Sequence, residues 1–155
     1  MAEAFRLRRA NDGDAKALTA LALRSKASNG YDEAFMQACE AELTYTAATI
    51  ARGDTWVAEN PERRLLGFFD LRTEGRSGEV FAMFVEPDEK RAGVGRALWS
   101  QLEACARRRG LACIGLDADP NAIAFYSAMG MTIVGRSPSG SIPDRFLPRM
   151  EKALG

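Results

Sequence analysis

The chain has 155 residues, 46% of them hydrophobic and 27% charged, and its 21 basic and 21 acidic side chains leave no net charge. That composition suits one folded domain spanning 1–155 with a real core, and the missing basic excess argues against a nucleic-acid-binding module. No histidine occurs anywhere, which excludes a Ser-His-Asp triad, a Cys-His pair and a His-ligated metal site.

No run approaches the apolar length of a membrane span, and the opening MAEAFRLRRANDGD has no apolar signal region. The expectation is a cytoplasmic protein. Cys39, Cys105 and Cys113 are far apart, form no CxxC and read as small core residues. No metal is expected. Arg107-Arg108-Arg109 reads as a solvated helix end, where cations suit the negative pole of the helix dipole.

FRLRRA, residues 5–10, alternates as a half-buried strand does. NDGD then offers capping groups to a helix whose Ala17, Leu18, Leu21 and Ala22 share a face. DEAFMQACEAEL repeats that pattern with Phe35, Met36, Cys39 and Leu43, and Gly53 closes the helical region. The polar SKASNGY between the helices reads as an exposed turn. TWVAEN, LLGFFDLRT and EVFAMFVEP, split by turn residues, read as an antiparallel meander.

A helix from Val94 to Arg109 follows, with Val94, Ala97, Leu98, Leu102 and Cys105 on its apolar side and Gly110 at its end. LACIGLDAD is a strand, PNAIAFYSAMG a short helix, MTIVGR a strand, SPSGSIPD a loop and RFLPRMEKAL a last strand. This order predicts a mixed α/β fold, one layer of sheet with helices on its faces.

The stretch EPDEKRAGVGRALW places glycines where a helix begins. A P-loop fails, because Gly95 is followed by Arg96 and Ala97 instead of Lys and Ser or Thr. A Rossmann fingerprint is weak, because its third glycine position is Leu98 and several strands precede it. The remaining reading is a strand, a charged loop and a helix whose first N–H groups hold a diphosphate without a metal, helped by Lys90, Arg91 and Arg96. A tight connection without a ligand is the competing explanation.

Lys90-Arg91-Ala92-Gly93-Val94-Gly95 resembles the Gln/Arg-x-x-Gly-x-Gly/Ala motif of the GNAT superfamily of N-acetyltransferases, with Lys in place of Gln or Arg. Asn121, Ala122, Phe125-Tyr126 and Gly130 resemble that family's next block, with Met131 replacing its usual Phe. The motifs cover about residues 79–136. The resemblance implies an α+β GNAT fold, a single mixed, mostly antiparallel sheet flanked by helices on both faces.

It also implies acetyl-CoA as cosubstrate and direct attack of an amine on the thioester. Met83 and Val85, with Phe84 between them, would offer main-chain groups to the pantetheine arm, and Phe84 or Val85 an oxyanion N–H. The amides of Arg91, Ala92, Gly93, Val94, Gly95 and Arg96 would wrap the diphosphate, and Asn121 would reach the pantetheine. Tyr126 matches the family's usual acid, with core packing as the alternative role. Glu79 resembles the base of histone-type members, with Asp117 as a weaker alternative and an ordinary strand cap as the plain reading.

The acceptor pocket is expected around Arg24, Lys26, Tyr31, Phe69, Phe81 and the loop 137–148. Arg24, Lys26 and Arg145 are candidates to meet a carboxylate, although each is also explained as a surface cation. The implied function is an N-acetyltransferase acting on a primary amine of a small molecule or peptide. The rivals are a non-catalytic CoA-binding module and a protein lysine or N-terminal acetyltransferase. A homodimer is compatible with the family, and no nucleic acid or membrane is implied.

Overall fold

A computed structural model describes residues 5–90 and 92–155. Strand β1, Arg6–Arg9, leads into a single 3-10 turn capped reciprocally by Asn11 and Asp14. Helix α1, Ala15–Ala27, follows and buries Leu18, Leu21 and Ala22. Helix α2, Glu33–Leu43, starts on the Asp32 carboxylate, which accepts from the Phe35 amide at 2.8 Å.

The helical region then breaks, where the sequence pattern ran on towards Gly53. Thr44 and Thr46 are extended, and Thr46 caps a separate short helix α3, Ala47–Ala51. Threonine side chains that bond nearby backbone favour such caps over helix interiors.

Strands β2 (Asp54–Glu59), β3 (Leu65–Glu74) and β4 (Ser77–Val85) form the expected antiparallel meander. Helix α4, Val94–Arg108, strand β5, Cys113–Asp117, and helix α5, Ile123–Ala128, come next. Strands β6 (Thr132–Pro138) and β7 (Phe146–Ala153) close the chain as a hairpin. The sheet runs β1-β2-β3-β4-β5-β7-β6, and among the described residues β4 with β5 is its one parallel pair.

Alternation along β3 sends neighbouring phenylalanines to opposite sides. Phe68 joins Leu18, Leu21, Cys39 and Leu43 beneath α1 and α2, whereas Phe69 joins Leu98, Leu102, Ile114 and Met150 beneath α4. Both are fully buried, so truncating either to Ala costs about 3–5 kcal/mol.

In β4, Ala82 faces Asp70 and Val80 faces Leu71, which leaves Phe81 as an extra residue. That bulge turns Val80 and Ala82 to opposite faces of the sheet. Beyond the bulge β4 has lost β5: their pairing stops at Glu79 with Gly115. The two strands therefore diverge into a fork towards their C-terminal ends.

Candidate active site

One wall of the fork is the end of β4. Met83, Phe84 and Val85 are half-buried, and they pair with Phe69, Phe68 and Gly67 on the β3 side only. The Glu86 amide donates to the Leu66 carbonyl at 2.8 Å. Period-two alternation then turns the polar groups of Phe84 to β3 and those of Met83 and Val85 to the fork. Of the two amides considered for an oxyanion, this leaves Val85.

At the fork's tip the chain makes a 3-10 turn, Pro87–Glu89, and enters α4 through Gly93, whose φ is +84°. Among the described residues no side chain caps this helix. Ala97 is its first amide bonded back to Gly93, so the amides of Val94, Gly95 and Arg96 have no helical acceptor. Uncapped amides at the positive end of a 15-residue helix fit an anion such as a diphosphate.

The two glycines serve different ends. Gly93 supplies a left-handed turn in open space, whereas a Cβ on Gly95 would stand 3.1 Å from the Phe125 ring. Gly95 thus lets α4 sit against α5. Val94 is fully buried and can offer only its backbone, while the side chain of Arg96 is exposed. Lys90 reaches Ser28 at 3.4 Å, and Arg91 lies outside the described residues.

Tyr126, on α5, is 8% exposed, with ring centroids 5.8 Å from Trp99 and 5.5 Å from Phe125. Burial, and next the charge of Asp119, push its phenol well above the usual value. Trp99 is itself fixed, since its indole N–H donates to Glu103 at 2.6 Å and Glu103 also accepts from Lys152 and Arg107. Burial alone would raise the Glu103 carboxyl, but these three donors hold it below its ordinary value.

Beside Tyr126 a polar cluster joins three loops. Asp119 accepts from Lys26 at 3.0 Å, from Tyr31 at 2.9 Å and from both the backbone and side chain of Asn121 at 2.9 Å. Burial opposes ionisation of Asp119, yet the Asn121 amides and the Lys26 ammonium bring its pKa down to about 2. Arg145 donates to the Tyr31 hydroxyl at 2.9 Å, and Tyr31 stacks on Phe35 with centroids 4.0 Å apart. Asn121, expected at the pantetheine, is thus engaged with Asp119 and, at 3.3 Å, with Tyr31.

The other expected acceptor residues are scattered. Arg24 is paired with the buried Glu86 and Lys26 with Asp119, so neither is an open cation for a carboxylate. Phe69 is enclosed in the core and presents no surface. Phe81, the bulge residue, is exposed beneath the Arg72 guanidinium, 4.0 Å from its ring centre. Glu79 stands at the closed end of the fork, where both its oxygens accept from Arg149 at 2.7 and 2.8 Å.

Sequence reasoning gave no role to Asp119, Glu86, Gly115 or Arg149. Asp119-Pro120 carries the signature of an acid opening a turn. Gly115 inside an apolar strand signals close approach of another group. No local pattern marks Arg149, because Glu79 and Asp117, which it bridges, are distant in sequence.

Residues 51–132 match the family model of the acetyltransferase (GNAT) domain. An IAA acetyltransferase of Azospirillum brasilense is 36% identical over 92 residues, which cover 57% of this chain and 59% of that relative. The match therefore spans about three-fifths of the relative's length. The PaiA N-acetyltransferase of Thermoplasma acidophilum, solved in complex with coenzyme A, superposes with a TM-score of 0.79 at 18% identity, covering 99% of this chain and 100% of that one. A GCN5-related N-acetyltransferase from Rhodopseudomonas palustris gives 0.78 at 26% identity, covering 96% and 95%.

Proposed function

Since the chain belongs to the GNAT acetyltransferase domain family, we propose that residues 1–155 form one such domain, which moves an acetyl group from acetyl-CoA to a primary amine of a small molecule or peptide. The observation that carries this reading is the conjunction of an unpaired β4–β5 fork with an uncapped helix N-terminus at its tip. A diphosphate suits the amides of Val94, Gly95 and Arg96, and an extended amide-bearing arm suits the unpaired backbone of Met83 and Val85.

Acetyl-CoA supplies the acetyl group as a thioester open to attack by a neutral amine. The Val85 amide, turned into the fork, is the donor suited to charge developing on the carbonyl oxygen. Tyr126 stays protonated through the working pH range, because burial and Asp119 raise its phenol. We assign its hydroxyl as the proton source for the departing sulfur; the raised phenol is a weak acid, so the proton moves only as charge builds on that sulfur, and the proton lost by the attacking nitrogen returns to the phenolate through solvent. The hydroxyl has no hydrogen bond to any described residue, which leaves it available.

We place Glu79 differently from a base. Both its oxygens are engaged by Arg149, so its part is to anchor β4. Incubation with acetyl-CoA and a panel of amines, with release of free thiol as the signal, tests the reading. Amine-dependent thiol release supports it; release that no amine stimulates removes it.

A further inference from the structure

We propose that Arg149 is a positioning residue that sets the aperture of the β4–β5 fork, by lying across Gly115 and clamping Glu79 on β4 to Asp117 on β5. This rests on the functional reading only in what it says about the cofactor; the clamp itself is a property of the fold.

Arg149 belongs to β7, where its register partner is Asp117. Its side chain does not stay over β7. It crosses the neighbouring strand above Gly115, where a Cβ would overlap the guanidinium, and reaches β4 beyond. There it meets both oxygens of Glu79, at 2.7 and 2.8 Å, while the same Nη1 also donates to Asp117 at 3.3 Å. Glu151 stands 3.6 Å from Nε.

The place of this bridge is what gives it a consequence. Glu79 and Gly115 are the last residues that β4 and β5 pair, and Asp117 lies just inside the parted segment. One planar, forked donor therefore spans the point where main-chain bonding ends. An isolated exposed ion pair would contribute little. A two-pronged contact that closes three strands through a glycine gap is more restrictive, and a lysine cannot reproduce it.

A fork held at a fixed opening also spares an incoming ligand the ordering of its walls, which is where preorganisation improves affinity. Glu79 then acts through strand position, with its carboxylate committed to Arg149.

The test uses the whole protein with Arg149→Met, Arg149→Lys, Gly115→Ala and the double variant Gly115→Ala/Arg149→Met. Amide hydrogen exchange is followed at residues 77–79 and 113–115, with β2 as the internal reference, and free CoA is titrated calorimetrically. Arg149→Met is expected to speed exchange at the fork by about tenfold while β2 is unchanged, and to weaken CoA binding by about tenfold. Arg149→Lys should resemble Arg149→Met.

Gly115→Ala should reproduce the loss by pushing the guanidinium aside, and should add little in the Arg149→Met background, where the flexible Glu151 side chain, 3.3 Å from that Cβ, is the neighbour left to give way. Unchanged fork exchange in Arg149→Met, or fully additive effects of the two substitutions, overturns the clamp. If wild type binds no CoA, the functional reading falls and the exchange result alone decides the clamp.

Discussion

Trp99 packs against Tyr126 with ring centroids 5.8 Å apart, and Glu103 holds the indole in place through a 2.6 Å bond. The position of the proposed proton donor is thus set from α4. Tyr126→Phe keeps the packing and removes only the hydroxyl. We predict a fall in kcat of about tenfold or more with CoA affinity little changed. Steady-state kinetics beside a calorimetric titration checks it, and undiminished turnover takes Tyr126 out of the mechanism.

Glu103 gathers the Trp99 N–H, the Lys152 ammonium and the Arg107 guanidinium on one carboxylate. Glu103→Ala strands those donors at a largely buried position. A loss of about 1–3 kcal/mol is expected in urea unfolding, larger than for Arg107→Ala, whose side chain is half exposed.

The Asn121 amides and the Lys26 ammonium outweigh burial and hold the Asp119 carboxyl down to about 2, below the value of about 3.9 for an unfolded aspartate. A carboxyl depressed by folding contributes stability that is present above the unfolded value and is lost as pH falls through the folded one. Acid unfolding followed by circular dichroism should therefore steepen between about pH 4 and 2. Asp119→Asn should flatten that part of the curve; an identical curve would show that the charge on Asp119 contributes nothing to stability.

Glu79→Gln separates a base from an anchor. With Glu79 committed to Arg149, the acidic limb of the pH–rate profile should survive the substitution, and the loss should appear as weaker cofactor binding. Disappearance of that limb would return proton abstraction to Glu79.

Gly93 holds φ at +84° with nothing near its missing side chain. Gly93→Ala meets a backbone cost without a steric one, and about 1–2 kcal/mol of stability should be lost. Thermal unfolding measures it. A neutral effect would mean that the loop has another conformation available.

The order of elements was legible because period and turn chemistry carry it. β4 and α4 were read within two residues of their observed bounds, and the glycine motif fell at the helix entrance. The break at Thr44 was missed, since an apolar rhythm through 32–51 hides a local cap. Phe69 reads from sequence as an acceptor residue because strand alternation alone does not say which face α4 covers. Arg24 reads from sequence as a carboxylate contact or a solvated surface cation, because Glu86, its partner, lies 62 positions away. Arg149 needed the strand order β4-β5-β7, which no local pattern contains.

We assign acetyl-CoA binding to the fork and the α4 amides. Its most direct test is calorimetric titration of wild type and Arg96→Glu with acetyl-CoA and free CoA. Arg96 is exposed, so the substitution reverses charge beside the amides without entering the core. Wild type should bind with micromolar or tighter affinity, weakened about tenfold or more in the variant. A folded wild type that takes up neither ligand would contradict that assignment.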